Sequence, residues 1–250
     1  MKLKKKIVIV GATSAIAEQC ARVWAKENLC EIVLVSRNQQ KAEWVAEDIK
    51  VRSPETTITN IQVDFLDPRQ IQELVDNIYQ AGNVDIALIA HGSLPDQEVC
   101  QNDLTLCREA LDVNGLSPML FAEAFAKRMQ QANNGTLAVI GSVAGDRGRK
   151  SNYVYGAAKG LVASYVQGLQ HRFANTNIKV VLIKPGPTDT PMTAHLKQSG
   201  AKLAAVDRVA AEVVHGIESG QRVVYTPKIW SVIMMVIRNL PHFVFKRLDI

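Results

Sequence analysis

Short apolar runs alternate with helical patterns along most of the chain, and this alternation constrains the fold more than any other feature. Apolar strands separated by helices are typical of a parallel sheet covered by helices on both faces. We therefore predict an α/β fold, a Rossmann-like doubly wound parallel sheet in a single domain over 1–250, with its core over about 1–227. The seven predicted strands span 6–10, 31–35, 56–64, 84–90, 136–140, 178–184 and 222–227.

Helical patterns fill the intervals between these strands. We expect the stretch 103–131 to form one long helix. The apolar tail 228–250 is expected to be helical with a basic end, and Pro241 should break or kink it into two short pieces. No repeat, low-complexity segment or linker interrupts the pattern, which favours a single domain. The remaining predicted helices span Ala15–Glu27, 38–51, 68–80, 155–170 and 206–220.

Composition and charge argue against several classes of protein. The chain is 47% hydrophobic and 21% charged, which is typical of a globular protein with a large core. Its net charge of +5 is dispersed, without the basic array that binding to nucleic acid requires. The four cysteines have neither CxxC nor metal-ligand spacing, which predicts reduced thiols in a cytoplasmic protein without a metal site.

A serine, a tyrosine and a lysine stand where a catalytic site would need them. Ser142 follows the strand 136–140, and Tyr155 and Lys159 lie four residues apart on a helical run. Residues at this spacing share a helix face, so the ammonium is expected to lie beside the phenol and to lower its pKa. The trio is suited to proton transfer at a carbonyl or alcohol oxygen. An incidental tyrosine and lysine on a surface helix is the alternative.

The first strand leads through a turn of small residues into a helix. Such a turn can bind the pyrophosphate of a dinucleotide on its backbone amides. Gly11 stands at the turn, while alanine at 15 and 17 replaces glycines that are usual there. After the second strand, Ser36 and Arg37 stand where an acidic residue would favour NAD. Arg37 therefore favours NADP(H), and NAD(H) remains the alternative.

Taken together in this order, these motifs resemble the short-chain dehydrogenase/reductase family over nearly the whole chain. The resemblance implies a catalytic tetrad of Asn114, Ser142, Tyr155 and Lys159, in which Asn114 anchors a water beside Lys159. It implies further cofactor contacts after strands three and four and in the loop that covers the nicotinamide. The predicted cofactor-binding residues are Gly11, Thr13, Ser14, Ala15, Ile16, Ser36, Arg37, Asp64, Phe65, Ala90, His91, Gly92, Tyr155, Lys159, Pro185, Gly186, Thr188 and Thr190.

This resemblance implies an oxidoreductase that reduces a ketone with a nicotinamide cofactor. Tyr155 would give the proton, Ser142 would orient the carbonyl oxygen, and Lys159 would tune Tyr155 and hold the nicotinamide ribose. The alternative is a redox sensor or scaffold that binds the dinucleotide without catalysis. Three segments, 145–160, 185–197 and 233–248, are similar to the branch that contains decaprenylphosphoryl-2-keto-ribose reductase. A lipid- or phosphate-linked keto-sugar is the substrate which that similarity implies.

Three features of the sequence predict what the chain contacts. Arg147 or Arg149, between Ser142 and Tyr155, is expected to contact a phosphate on the substrate. The apolar and basic tail is expected to contact a membrane surface, a second subunit or the pocket mouth. By resemblance to the family, the helices over 103–131 and 155–170 pair in a homodimer or homotetramer. Their apolar residues include Leu116, Met119, Phe121, Phe125, Leu161, Tyr165 and Leu169.

Overall fold

Seven parallel strands form one sheet in the computed structural model, which describes residues 4–27 and 30–248. The spatial order is β3-β2-β1-β4-β5-β6-β7, so the chain reverses direction across the sheet between β1 and β4. The predicted α/β class, the parallel sheet and the seven strands are confirmed. The strands are β1 (Lys5–Val10), β2 (Cys30–Ser36), β3 (Thr57–Gln62), β4 (Ile86–Ile89), β5 (Gly135–Ile140), β6 (Ile178–Pro185) and β7 (Val223–Thr226).

Helices cover both faces of this sheet because its central strands are apolar on both sides. Helices α3, α6 and α7 pack on one face, and α1, α2 and α9 pack on the other. The helices are α1 (Ala15–Glu27), α2 (Gln39–Arg52), α3 (Pro68–Gln80), α4 (Gln97–Asn102), α5 (Leu104–Leu111), α6 (Ser117–Ala132), α7 (Tyr153–Arg172), α8 (Ala194–Gln198), α9 (Val206–Glu218), α10 (Ile229–Asn239) and α11 (His242–Phe245).

The helix predicted over 103–131 is present over 104–132, but its middle is not α-helical as expected. A π-helical turn over Asp112–Leu116 lies between α5 and α6, with helical backbone angles at Leu111 and Ser117 on either side. Inside this turn the Asn114 side chain donates to the Ala110 carbonyl at 2.9 Å. Gly115 lies close to α7, where an added Cβ would be 3.4 Å from the Ala158 Cα. The turn places Asn114 beside Gly92 and Ser93, which follow the carboxyl end of β4.

The C-terminal tail forms two helices, as Pro241 predicts. Helix α10 ends at Asn239, and Pro241 precedes the short α11. The last two residues of the predicted tail, Asp249 and Ile250, lie outside the described residues. None of the helices in the described part of the chain has the length and apolar character needed to cross a membrane.

Candidate active site

A cavity of about 870 Å³ lies where the carboxyl ends of the strands meet. Loops that follow β1, β2, β4, β5 and β6 all line it, and it includes the point between β1 and β4 where the strand order reverses. In open parallel sheets this reversal leaves a crevice in which ligands bind. All of the predicted site residues line the cavity except Asp64 and Asn114.

The turn after β1 builds one end of the cavity. Gly11 has φ +80°, and a Cβ there would lie 2.6 Å from the backbone nitrogen of His91. The turn continues into α1, where Ser14 Oγ accepts a bond from the Ala17 amide at 3.4 Å. The first amides of a helix have no partners within the helix and can bind an anion. Glycine at 11 thus allows the loop after β4 to approach the turn, and the small residues after it leave the first helix amides open to a pyrophosphate.

A basic rim follows β2. Ser36 is buried and donates to the Asn38 carbonyl at 2.9 Å, which orders the turn that carries Arg37. The Arg37 guanidinium is exposed and lies 5.8 Å from the centre of the Phe65 ring. Lys41, in the first turn of α2, lines the same rim. Asn38 and Lys41 were missed by the sequence reading, although their position just after Arg37 could have indicated them.

His91 is buried in the cavity wall, whereas Asp64 is exposed and lies outside it. His91 is 8% exposed, and its Nε2 lies 2.8 Å from Ser117 Oγ. Burial first, and then the charges of Lys159 and Arg37, lower the His91 pKa to about 3, so the ring is neutral. Asp64 is exposed and accepts from the Leu66 amide at 2.9 Å, and it does not line the cavity.

Ser142, Tyr155 and Lys159 share the other end of the cavity. Ser142 follows β5 and accepts a bond from the Ala144 amide at 3.1 Å, which places it at the start of a 3₁₀ turn. Lys159 is 2% exposed, and its Nζ donates to the Ile140 carbonyl at 3.1 Å. This Nζ lies 5.8 Å from the centre of the Tyr155 ring. One wall therefore presents a hydroxyl, a phenol and an ammonium.

The expected lowering of the Tyr155 pKa is wrong for this structure. Burial raises the pKa of Tyr155, and a hydrogen bond with Ser142 opposes that effect only in part. Burial also lowers the pKa of Lys159 to about 8. Tyr155 is therefore a phenol near neutral pH, a form that can give a proton.

Asn114 lies behind this wall instead of on it. It is fully buried, and its Oδ1 accepts from the Ser93 amide at 2.8 Å. An added Cβ at Gly92 would be 2.8 Å from Asn114 Oδ1 and 3.5 Å from Lys159 Nζ. The two side chains thus converge on Gly92, which leaves space between them because it has no side chain.

The two arginines of the loop after Ser142 have separate environments. Arg147 donates to the carbonyl of Leu240 at 2.8 Å and to that of Ile237, so it binds the tail. This contradicts a role for Arg147 as a substrate contact. Arg149 lines the cavity, and its Nε is buried without a hydrogen-bond partner. Burial lowers the Arg149 pKa, and the carboxylate of Asp146 opposes that effect.

The loop after β6 closes one side of the cavity. Thr188 is buried and donates to the Gly186 carbonyl at 2.9 Å, which folds the loop back on itself. Trp230 of α10 packs against Gly186 so closely that a Cβ there would be 2.0 Å from the indole Nε1. Three apolar side chains that the sequence did not indicate also line the cavity, and they are Leu94, Met192 and Leu196.

Comparison with known proteins gives relatives that span the whole chain. An uncharacterised oxidoreductase encoded in the mprA 5′ region of Streptomyces coelicolor is 26% identical over 98% of this chain and 96% of its own. A short chain dehydrogenase from Burkholderia cenocepacia, in complex with NADP, has a TM-score of 0.82 at 17% identity with full coverage of both chains. One from Sphingobium yanoikuyae, in complex with NADPH, has a TM-score of 0.79 at 20% identity over 95% and 97% of the two chains.

The family model for short chain dehydrogenases matches residues 5–201. This range begins at β1 and ends in the loop after α8, so it contains the turn at Gly11, the trio on the cavity wall and the loop at Gly186. The chain therefore belongs to the short chain dehydrogenase family.

Proposed function

We propose that this oxidoreductase reduces a ketone to an alcohol with NADPH. The observation that supports this most is the shared cavity. Ser142, Tyr155 and Lys159 line one end, and the turn at Gly11 with the rim at Arg37 lines the other. A dinucleotide with its pyrophosphate at the Gly11 turn would extend along the cavity toward the trio.

The chain's own residues would handle the carbonyl oxygen and its proton. When bound, a reduced nicotinamide dinucleotide supplies the hydride that the carbonyl carbon accepts. Ser142 would donate a hydrogen bond that orients the oxygen, and Tyr155 would transfer its phenolic proton to it. Because burial raises the pKa of Tyr155, this proton is present near neutral pH. Lys159 would hold the nicotinamide ribose, and Asn114 would anchor a water that resupplies the proton.

The test is Tyr155→Phe, which removes the proton and leaves the ring. Loss of a positioned acid costs roughly 10²–10⁴-fold in rate. Turnover would be read from NADPH absorbance with a panel of simple ketones and keto-sugars, and NADPH binding would be measured by calorimetry. We expect turnover to fall and binding to persist. Unchanged turnover would remove Tyr155 from this role, and a wild type that binds NADPH but reduces no ketone would favour the sensor alternative.

The preference for NADPH rests on Arg37 and Lys41. Both line the cavity where β2 ends, and no acidic residue lies between Ser36 and Lys41. A charge-assisted bond to the 2′-phosphate contributes about 1.5–3 kcal/mol, or roughly 10- to 100-fold in affinity. Arg37→Ala should weaken NADPH by that factor and leave NADH unchanged. Arg69→Ala, an exposed arginine outside the cavity, is the control. Equal loss for both cofactors would contradict the assignment.

The substrate is proposed to carry an anionic group that Arg149 binds. The carboxylate whose charge acts on Arg149, that of Asp146, already pairs with Lys184 and accepts from the Tyr225 hydroxyl at 2.8 Å. Arg149 therefore has a buried Nε without a partner beside the trio, and a phosphate or carboxylate would supply one. The lipid- or phosphate-linked keto-sugar implied by the narrower resemblance satisfies this requirement.

Paired substrates test this group. For a keto-sugar and its phosphate ester, Arg149→Ala should lower kcat/KM for the ester roughly 10- to 100-fold and spare the neutral sugar. Arg149→Lys, which keeps the charge, should recover part of the loss. An equal fall for both substrates would show that Arg149 supports the loop and does not recognise an anion.

A homo-oligomer is proposed through part of the predicted surface. Phe121, Phe125 and Leu169 are buried within the chain, so they cover the sheet and cannot pair with another subunit. Leu116 and Leu161 are 45% and 47% exposed and lie close together beside Gly115. Sedimentation should give a dimer or tetramer at micromolar concentration, which Leu161→Arg dissociates and Val51→Arg does not. A wild-type monomer would contradict the proposal.

A further inference from the structure

The C-terminal tail, Lys228–Leu248, presents apolar side chains to solvent. In α10 only Met234 is buried. On its outer side and on α11, large apolar side chains are between 52% and 63% exposed. These side chains are Ile229, Val232, Met235, Val236 and Phe243, and we call them the tail face. Exposed apolar patches of this kind mark interaction surfaces in folded proteins.

The inner side of the tail is fixed to the walls of the cavity. Trp230 packs on Gly186, and Arg147 donates to the carbonyls of Ile237 and Leu240. The Arg147 guanidinium also lies 3.8 Å from the centre of the Phe245 ring. The tail face is therefore held in a fixed orientation, directed away from the protein, because the opposite side is occupied.

Charge distinguishes the occupants that such a face could take. The described tail contains four cations, Lys228, Arg238, Lys246 and Arg247, and no acidic residue. All four are exposed, and Arg238 also interacts with the Tyr225 hydroxyl, so Lys228, Lys246 and Arg247 are the cations directed to solvent. Two copies of this segment would bring like charges together, which opposes pairing of the face with itself. An anionic lipid surface suits both the apolar side chains and the cations. The apolar side chains would enter the acyl boundary while the cations contact the head groups.

We propose that the tail face docks this protein on an anionic lipid surface. Neither α10 nor α11 is long enough to span a bilayer, so the contact is peripheral. Through Trp230 and Arg147 the docked tail would hold the cavity mouth near the lipid. Delivery of a lipid-linked substrate to that mouth rests on the proposed function, whereas docking itself does not.

Vesicle flotation with the full chain tests docking without any assay of activity. Vesicles of phosphatidylcholine alone are compared with vesicles that also contain phosphatidylglycerol, at low and high salt. We expect flotation with the anionic vesicles and its loss at high salt, where surface charges are screened. Absence of flotation with anionic vesicles at low salt would overturn the proposal.

Two variants and a matched control locate the contact. Val232→Asp/Val236→Asp places charge on the tail face, and Lys246→Ala/Arg247→Ala removes two cations. Each should lower partitioning by about tenfold or more. Val51→Asp changes a valine that is 83% exposed on α2 and should have no effect. Unchanged partitioning of Val232→Asp/Val236→Asp would overturn the assigned face, and so would a lipid-free oligomer that this variant dissociates.

Discussion

The cavity and the tail depart in opposite ways from the usual distribution of polar and apolar groups. At the cavity and in the strand next to it, charged side chains are removed from water: Lys159 in the cavity wall and Lys184 in β6 are 2% and 5% exposed. At the tail, Val232 and Val236 lie more than half exposed. Buried charge costs free energy unless it is paired, and exposed apolar surface costs free energy unless a partner covers it.

The compensation for these costs differs between the two regions. Lys184 has a carboxylate partner, Asp146, inside the chain. The opposite side of α10 contacts Gly186 and Arg147, so the tail face itself remains exposed to solvent. The cavity is therefore complete as a folded structure and needs only small ligands, whereas the tail face acquires a role only with an external surface.

The largest effect is expected from Lys184→Met, which breaks the compensation inside the chain. It leaves Asp146 charged and buried, and breaking a buried pair on one side costs about 3–5 kcal/mol. Urea unfolding at neutral pH would measure the loss. Lys197→Met is the control, because its pair with Asp189 is exposed and is expected to contribute about 1 kcal/mol or less.

The double variant Lys184→Met/Asp146→Leu sharpens this result. It removes both charges, so it should recover much of the stability that the single variant loses. A single variant no less stable than Lys197→Met would mean that water reaches Asp146 and that the pair is not buried in solution.

The second effect is a gain in stability, expected when Lys159 is replaced, because Lys159 lacks a carboxylate partner in the described structure. Its folded pKa of about 8, against 10.5 for the ordinary group, corresponds to roughly 3 kcal/mol of destabilisation by the buried charge. Lys159→Met should therefore be more stable than wild type at pH 7 by about 1–3 kcal/mol, since the bond to the Ile140 carbonyl is also lost. The same variant should lose ketone reduction.

The pH dependence identifies the cause of that gain. Below pH 8 the lysine is protonated in both the folded and unfolded states, so the cost of its burial is present in full. Between pH 8 and 10.5 the folded state releases its proton first, and wild-type stability rises toward that of the variant. A stability difference that stays constant from pH 7 to pH 10.5 would attribute the gain to packing instead.

Sequence patterns predicted the sheet well because the signal is local. A strand buried on both faces needs an apolar run of its own, and β1, β2, β5 and β6 begin and end within one residue of their predicted bounds. Strands β3 and β4 were each predicted three residues too long, although β3 is a half-exposed edge strand and β4 is central and buried, because their apolar or β-branched runs continue past the paired residues. The sequence signal for the trio was also local, since the positions of Ser142, Tyr155 and Lys159 depend on one strand end and one helix face.

Features that depend on distant contacts were not predictable in this way. The π-helical turn at Asn114 packs against α7, more than 40 residues later, and the sequence shows only an Asn-Gly pair there. Arg147 and Arg149 are two residues apart and equally basic. Their environments differ because a segment about 90 residues away contacts one of them and not the other.

The smallest effect is expected from Arg147→Ala, which tests how the two regions are joined. Arg147 donates to the carbonyl of Ile237, near the end of α10, and to that of Leu240 just after it, and it packs on Phe245. Its loss should cost about 1–2 kcal/mol, chiefly in local opening of the tail.

Limited proteolysis gives the most direct measurement of this opening, because Arg238, Lys246 and Arg247 are trypsin sites within the tail. Arg147→Ala should be cleaved there roughly five- to thirtyfold faster than wild type, as expected when opening becomes easier by that free energy. Arg149→Ala should be cleaved at the wild-type rate, because its side chain lines the cavity. Arg147→Lys should recover little of the protection, because an ammonium cannot stack a planar guanidinium on the Phe245 ring while it bonds these carbonyls. Equal cleavage of the two alanine variants would mean that Trp230 alone holds the tail against the cavity.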